Sequence, residues 1–139
     1  MFILDTNVLS ALLAVHLPRA VAAWMAGTPE RFLYTAALCQ AELLAGIAIL
    51  PEGRRRRDLA DAAFAILVEN FAGKIVPFDG SAAAAYPEIF AARRRTGRHT
   101  QPTDLMIAAI AQVHDARIVT RNIRDFDGCG VTVINPWDE

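Results

Sequence analysis

The sequence predicts an α/β fold: a central, mostly parallel sheet of about five short strands with helices on both faces. Three observations carry this. Short apolar runs alternate with longer segments of helical periodicity along the chain. Strands separated by helices pair in parallel through right-handed crossovers. The length, 139 residues, suits one domain and leaves little room for a second, so a single domain over 1–139 is expected.

Each element has a local reason. Phe2-Ile3-Leu4 is an apolar run that stops at Asp5, as a buried strand does. Asn7 to Ala14 reads as a short helix, and Pro18 opens a second that ends near Gly27. Arg31 to Thr35 is strand-like. Ala36 to Leu50 is a helix closed by Pro51, and Gly53 to Asn70 carries Leu59, Ala63, Ile66 and Leu67 at helical spacing. Lys74 to Phe78 is a strand. Asp79 or Ser81 caps a helix running to about Thr96, with Gly97 as its stop and a kink or break expected at Pro87. Thr103 to Asp115 is a helix, Arg117 to Thr120 a strand, and Val131 to Ile134 a last strand before Pro136-Trp137.

Composition narrows the function. A formal net charge of −1 argues against a protein that coats nucleic acid nonspecifically. Lys74 is the single lysine; the other basic residues are arginines, grouped at Arg54–Arg57 and at Arg93–Arg95 plus Arg98. No apolar run has the length and flanks of a membrane span, and the start lacks a basic region and an A-x-A site, so neither membrane insertion nor a secretory signal is expected. Cys39 and Cys129 form no framework and sit at no metal-ligand spacing, which suits a reduced cytoplasmic protein. Phosphate-binding loops, dinucleotide fingerprints and nucleophile elbows are missing, and the three histidines are scattered.

What stands out is where single acids lie. Asp5 is the only charged residue among Asp, Glu, Lys and Arg in residues 1–18, Glu42 the only one in 32–51, and Asp104 the only one in 99–114. Burying a lone carboxylate costs several kcal/mol unless it is paired, hydrogen-bonded or bound to a cation. Asp5 ends the first strand, at the carboxyl edge where open α/β sheets bind ligands. Glu42 shares a stripe with Leu38, Ala45 and Ile49 and is expected to face the core. Asp104 lies in the first turn of its helix, and the loop after Thr120 brings Asp125 to the same edge. Three of the acids have a bland alternative: Asp5 as a helix cap, Asp104 as a first-turn dipole partner, Asp125 as a turn residue beside Asp127; a lone buried Glu42 in mid-helix has no stock structural role. Asp79 reads as a cap rather than a ligand. Jointly the acids point to a site for a hard divalent cation, Mg²⁺ or Mn²⁺ rather than zinc.

Phe2-Ile3-Leu4-Asp5-Thr6-Asn7, the Glu42 helix with Ala41-Glu42-Leu43-x-x-Gly46-Ile47, Thr103-Asp104, Thr120-Arg121-Asn122-x-x-Asp125-Phe126 and Asn135-Pro136-Trp137 together resemble a PIN domain. More narrowly they resemble the VapC/FitB-like toxins of bacterial type II toxin–antitoxin systems. The resemblance spans essentially the whole chain. It implies a Mg²⁺-dependent endoribonuclease, with Mn²⁺ able to substitute, held inactive by a cognate VapB/FitA-like antitoxin. It also implies a homodimer and a toxin–antitoxin complex that meets promoter DNA only through the antitoxin. The family's acidic positions fall on Asp5, Glu42, Asp104 and Asp125, as metal ligands and catalytic groups. Thr6 and Asn7 support them, and Thr120 and Asn122 match positions that orient the fourth acid or a metal-bound water. Gln101-Pro102-Thr103 departs from the smaller lead-in expected before Asp104.

The expected chemistry is in-line hydrolysis of an RNA phosphodiester with a 3′-oxygen leaving group. Arg93, Arg94, Arg95, Arg98 and Arg121 are candidate phosphate contacts, and Arg54–Arg57 are assigned to partner or dimer contacts. Two other readings remain open at this stage: a catalytically silent module that binds RNA or a partner, and a DNA-directed nuclease.

Overall fold

Phe2–Leu4 forms β1, the central strand of the sheet, and its side chains Ile3 and Leu4 are wholly buried. The structure is a computed structural model describing residues 1–99 and 101–138. After β1 come α1 (Thr6–Leu13), α2 (Arg19–Gly27), β2 (Leu33–Ala36), α3 (Ala37–Ala48) and α4 (Arg54–Ala65). Then follow β3 (Ile75–Val76), α5 (Gly80–Arg95), α6 (Pro102–Val113), β4 (Arg117–Val119) and β5 (Val133–Ile134). The sheet runs β3-β2-β1-β4-β5 with every pairing parallel. In register, Ile3 lies between Tyr34 and Ile118, and Leu4 between Thr35 and Val119.

The chain builds outward from β1 to β3, then returns across the sheet to lay β4 on the other side of β1. Beyond the carboxyl ends of β1 and β4 the connections part in opposite directions, leaving a crevice. Asp5 and Thr120 are the residues immediately past those ends. The core beneath them is dominated by α6, in which Leu105 and Ile107 to Ala111 are buried. No helix among the described residues is long and apolar enough to cross a membrane.

Several elements differ from expectation, for local reasons. The strand expected from Arg31 begins at Leu33, because Glu30–Phe32 winds into a 3₁₀ turn after Pro29. The strand expected over 74–78 shrinks to Ile75–Val76, since Pro77 has no N–H to give a neighbour. The helix expected to reach Asn70 widens over Ile66–Asn70 into a π-turn, closed by Phe71 N–H donating to Ile66 O. The break expected at Pro87 does not occur, and α5 is continuous through it. Pro87 and Ala83, whose carbonyl loses its partner, both lie on the exposed face, where water can take the donor's place. Asp79 caps α5 as expected, accepting from the Ala82 N–H at 3.0 Å.

A tight turn brings the chain back towards β5. Gly128 there has φ +79°, and a Cβ on it would stand 2.6 Å from the Thr96 methyl at the end of α5. Gly128→Ala is therefore expected to cost roughly 1–3 kcal/mol, from the left-handed backbone and the clash together. Adding Thr96→Ser removes the methyl and should recover only the steric part. Urea melts of the two variants check this, and a wild-type midpoint for Gly128→Ala alone would contradict it.

Candidate active site

The site is assembled where β1 and β4 end. Asp5 continues the ladder, its N–H donating to Val119 O at 2.9 Å, and its side chain is 7% exposed. It is also the N-cap of α1: Oδ1 accepts the Thr6 N–H at 2.8 Å. Its other oxygen, Oδ2, accepts the Thr120 hydroxyl at 2.8 Å. That hydroxyl accepts in turn from Asn7 Nδ2 at 2.8 Å and from the Asn122 N–H at 3.1 Å. Asn7 Oδ1 accepts the Arg121 N–H at 3.1 Å, so the first turn of α1 is laced to the loop after β4. Thr6 Oγ1 donates to Glu42 Oε1 at 3.0 Å, placing the α3 acid beside Asp5.

Every donor in this network to Asp5 or Glu42 is uncharged. Burial therefore governs the acids. It pushes the Asp5 carboxyl up against the lowering effect of its bonds from Thr120, Thr6 and Cys39, and the Asp125 charge adds to the rise. Glu42 is raised by burial, opposed by its bond from Thr6 and aided by the Asp5 charge. Asp104, at the opening of the buried helix α6, is pushed up to about 7 by burial and then by the charges of Asp125, Asp5 and Glu42, with Arg93 pulling the other way. All four acids line one open cleft of about 460 Å³, with Thr103 and Asn122 on its wall.

Asp5, Glu42 and Cys39 place ligating atoms within 4.8 Å of one another, and Asp104 and Asp125 stand across the cleft outside that tight group. Cys39 is the contact the sequence reading overlooked. Its thiol is fully buried and donates to Asp5 Oδ1 at 3.8 Å. Burial and the Asp5 charge push it up to about 12, so it stays protonated and acts as a donor rather than a soft ligand. Its position three residues, nearly one helical turn, before Glu42 was the available signal. The remaining donor set is oxygen, which fits a hard divalent cation.

The expected residues do not all sit where expected. Glu42 is not on the core stripe of α3: Cys39, Leu43 and Ile47 are buried, whereas Ala45 and Ile49 are exposed and Glu42 borders the cleft. Thr120 donates to Asp5, the first acid. Arg93, expected to meet phosphate, is buried with its guanidinium committed to backbone carbonyls, and so is corrected to an internal residue. Arg98 is exposed and bonded to Asp127. Arg94 and Arg95 are exposed, and Arg95 lines a separate hollow with Glu88 and Cys129. Arg121 is exposed next to the Asp5 network, its guanidinium 5.4 Å from the Trp137 ring centre. Arg54 pairs loosely with Asp58 at 3.8 Å, both exposed, and Arg55 borders an apolar groove that adjoins Glu42.

The raised acids set a pH dependence. A carboxyl at about 7 in the folded state, against its ordinary value of 3.8, is protonated more readily folded than unfolded. Its stabilising contribution is full below the unfolded value and is lost as pH rises through about 7. The metal-free protein should thus lose stability between about pH 4 and pH 7, and be less stable at pH 8 than at pH 5. Asp104→Asn should flatten that loss and raise Tm at pH 8, by roughly 3–4 °C for each kcal/mol relieved. Calorimetry in EDTA tests this, and an equal drop in Tm at both pH values would make Asp104 a structural acid.

Comparison with known proteins agrees with this geometry. The PIN domain family model matches residues 2–128. The chain is 35% identical over 138 residues to the VapC ribonuclease Y4jK of Sinorhizobium fredii, covering 99% of each chain. It is 34% identical over 139 residues to Toxin FitB of Neisseria gonorrhoeae, covering both completely. A solved structure of FitAB bound to the IR36 DNA fragment superposes with a TM-score of 0.90 at 34% identity, covering 99% of this chain and 96% of that one. With the motifs in order and the fold superposable end to end, the chain belongs to the PIN domain family, alongside the VapC- and FitB-type toxins that it resembles.

Proposed function

We propose that the protein is a Mg²⁺-dependent endoribonuclease, with Mn²⁺ able to substitute, that acts in the cytoplasm as the toxin of a type II toxin–antitoxin pair. The observation that carries this is the cleft into which Asp5, Glu42, Asp104 and Asp125 converge, where the hydrogen bonds to Asp5 and Glu42 come from neutral donors. Four like charges repel one another and would also repel a phosphodiester. A divalent cation among them reverses both effects. The four carboxylates are the residues that would hold it.

Such an ion, when bound, lowers the pKa of water and offsets the charge that develops on phosphate. The chain's own contribution is placement. Thr6 occupies Glu42 Oε1 and leaves Oε2 to accept a proton from an attacking water. Thr120 and the Thr6 N–H hold the two Asp5 oxygens in one orientation. Ser10 lines the cleft, but no base among the described residues is bonded to it, which favours water over a covalent nucleophile. Arg121 stands at the rim in a position suited to a substrate phosphate.

The names of the relatives support the rest of the proposal. One is a ribonuclease and one a toxin, and the FitAB structure holds DNA. A cognate antitoxin is the expected partner, and a basic side chain from it would be drawn into the same acidic cleft. Contact with promoter DNA is assigned to that partner.

The test uses protein freed of its partner. It should cleave RNA with Mg²⁺ or Mn²⁺, stop with EDTA, and leave a matched DNA strand intact. Asp5→Asn, Glu42→Gln and Asp104→Asn should each cost at least about a hundredfold in rate with the fold retained, because the ion they hold supplies several kcal/mol. Thr120→Val should cost about 10–100-fold, and Thr120→Ser much less. Full activity in Asp5→Asn, or activity in EDTA, would refute the metal-site reading. Cleavage of DNA alone would refute the assignment to RNA.

A further inference from the structure

The four acids are not held alike. Asp5 receives four hydrogen bonds from the network around it, and Glu42 receives one from Thr6. Asp125 receives none from a side chain among the described residues. Its carboxylate is placed only by the backbone of the 3₁₀ turn Ile123–Phe126. That turn is short and exposed apart from the buried ring of Phe126. Its own bonds are Asp125 N–H to Asn122 O at 3.1 Å, Asp127 N–H to Arg124 O at 3.2 Å and Cys129 N–H to Phe126 O at 3.1 Å.

A second anchor comes from α5. Arg93, in the last turn of that helix, is 4% exposed. Its Nη1 donates to Arg124 O at 3.0 Å and to Asp127 O at 2.5 Å, the carbonyls that bracket Asp125. Its Nη2 donates to His99 O at 3.3 Å, in the segment that leads into α6 and Asp104. One planar fork thus ties together the end of α5, the approach to Asp104 and both sides of Asp125. A surface arginine would not be buried at this cost for solubility, and a phosphate contact could not be made from here. A lysine could keep the charge but not the spread of donors.

We propose that Arg93 is a positioning residue for the nuclease site, fixing Asp125 opposite Asp104 by clamping the carbonyls of Arg124 and Asp127. The inference rests on the metal-site reading above and adds to it the residue that sets the fourth acid. Arg93 touches neither substrate nor ion; its hydrogen bonds act through the turn, while its charge, which Arg93→Lys keeps, lowers the Asp104 pKa.

The experiment uses the full chain with Arg93→Lys, which keeps the buried charge and favours folding, together with Asp125→Asn and the double variant. Hydrogen exchange should show faster exchange over residues 122–129 in Arg93→Lys, with α6 and the sheet unchanged. Mn²⁺ affinity, measured by titration calorimetry, should fall about 10–100-fold, as for other groups that hold a ligand in place. The double variant should bind Mn²⁺ no more weakly than Asp125→Asn alone. Unchanged exchange over 122–129 would overturn the proposal. Faster exchange with wild-type Mn²⁺ affinity, or losses that add in the double variant, would overturn it as well. If the wild-type chain itself takes up no Mn²⁺, the metal-site reading fails on its own account. The exchange arm then decides the clamp: faster exchange confined to 122–129 supports it, and unchanged exchange overturns it.

Discussion

A carboxylate buried where two parallel strands end is the constraint around which this molecule is organised. Asp5 is nearly inaccessible, and the groups seen to donate to it among the described residues are hydroxyl, amide, thiol and backbone donors. Neutral donors orient an anion without neutralising it, so the negative charge is preserved and aimed. The same oxygens lock α1, the start of α3 and the loop after β4 to one another. Fold and site are therefore coupled at a single side chain. The two strands that define the crevice could not end in an ordinary pair of hydrophobic residues without dissolving that lock.

The charge so preserved has an energetic consequence. Three of the four acids are raised by burial and by each other's charge, and Asp104 is raised furthest, to about 7. A cluster of this kind destabilises the metal-free fold at neutral pH and has a correspondingly strong appetite for cations. On the proposed function, two different cations would satisfy it: a hard divalent ion, which would support hydrolysis, or a basic side chain from a partner, which would block it. Inhibition by a bound protein and activation by a metal would then be competing solutions to one electrostatic problem. The 460 Å³ cleft is open enough to admit either.

Much of this was legible in the sequence because the acids stand alone. Asp5, Glu42 and Asp104 are each isolated in an apolar stretch, and such isolation has few structural explanations. The order of strands and helices was equally readable from periodicity, although Pro77 shortened one strand and Pro87 failed to break a helix. What could not be read was three-dimensional. Glu42 was assigned to the core stripe because i+3 and i+7 neighbours are apolar, yet those neighbours prove to be exposed while the i+1 and i−3 residues are buried. Cys39 sits at no metal-ligand spacing in the sequence, yet it donates to Asp5 from the neighbouring element. Arg93 looked like its neighbours in a basic run; only the fold shows that one of three consecutive arginines turns inward to carbonyls some thirty residues away.

Diffraction at the manganese absorption edge from crystals of the partner-free protein soaked in Mn²⁺ tests the central claim most directly. The account predicts an anomalous peak in the cleft within about 2.5 Å of Asp5 and Asp104 oxygens, absent from crystals of Asp5→Asn. A cleft without such a peak, or a peak found only at cysteine or histidine side chains, would contradict it.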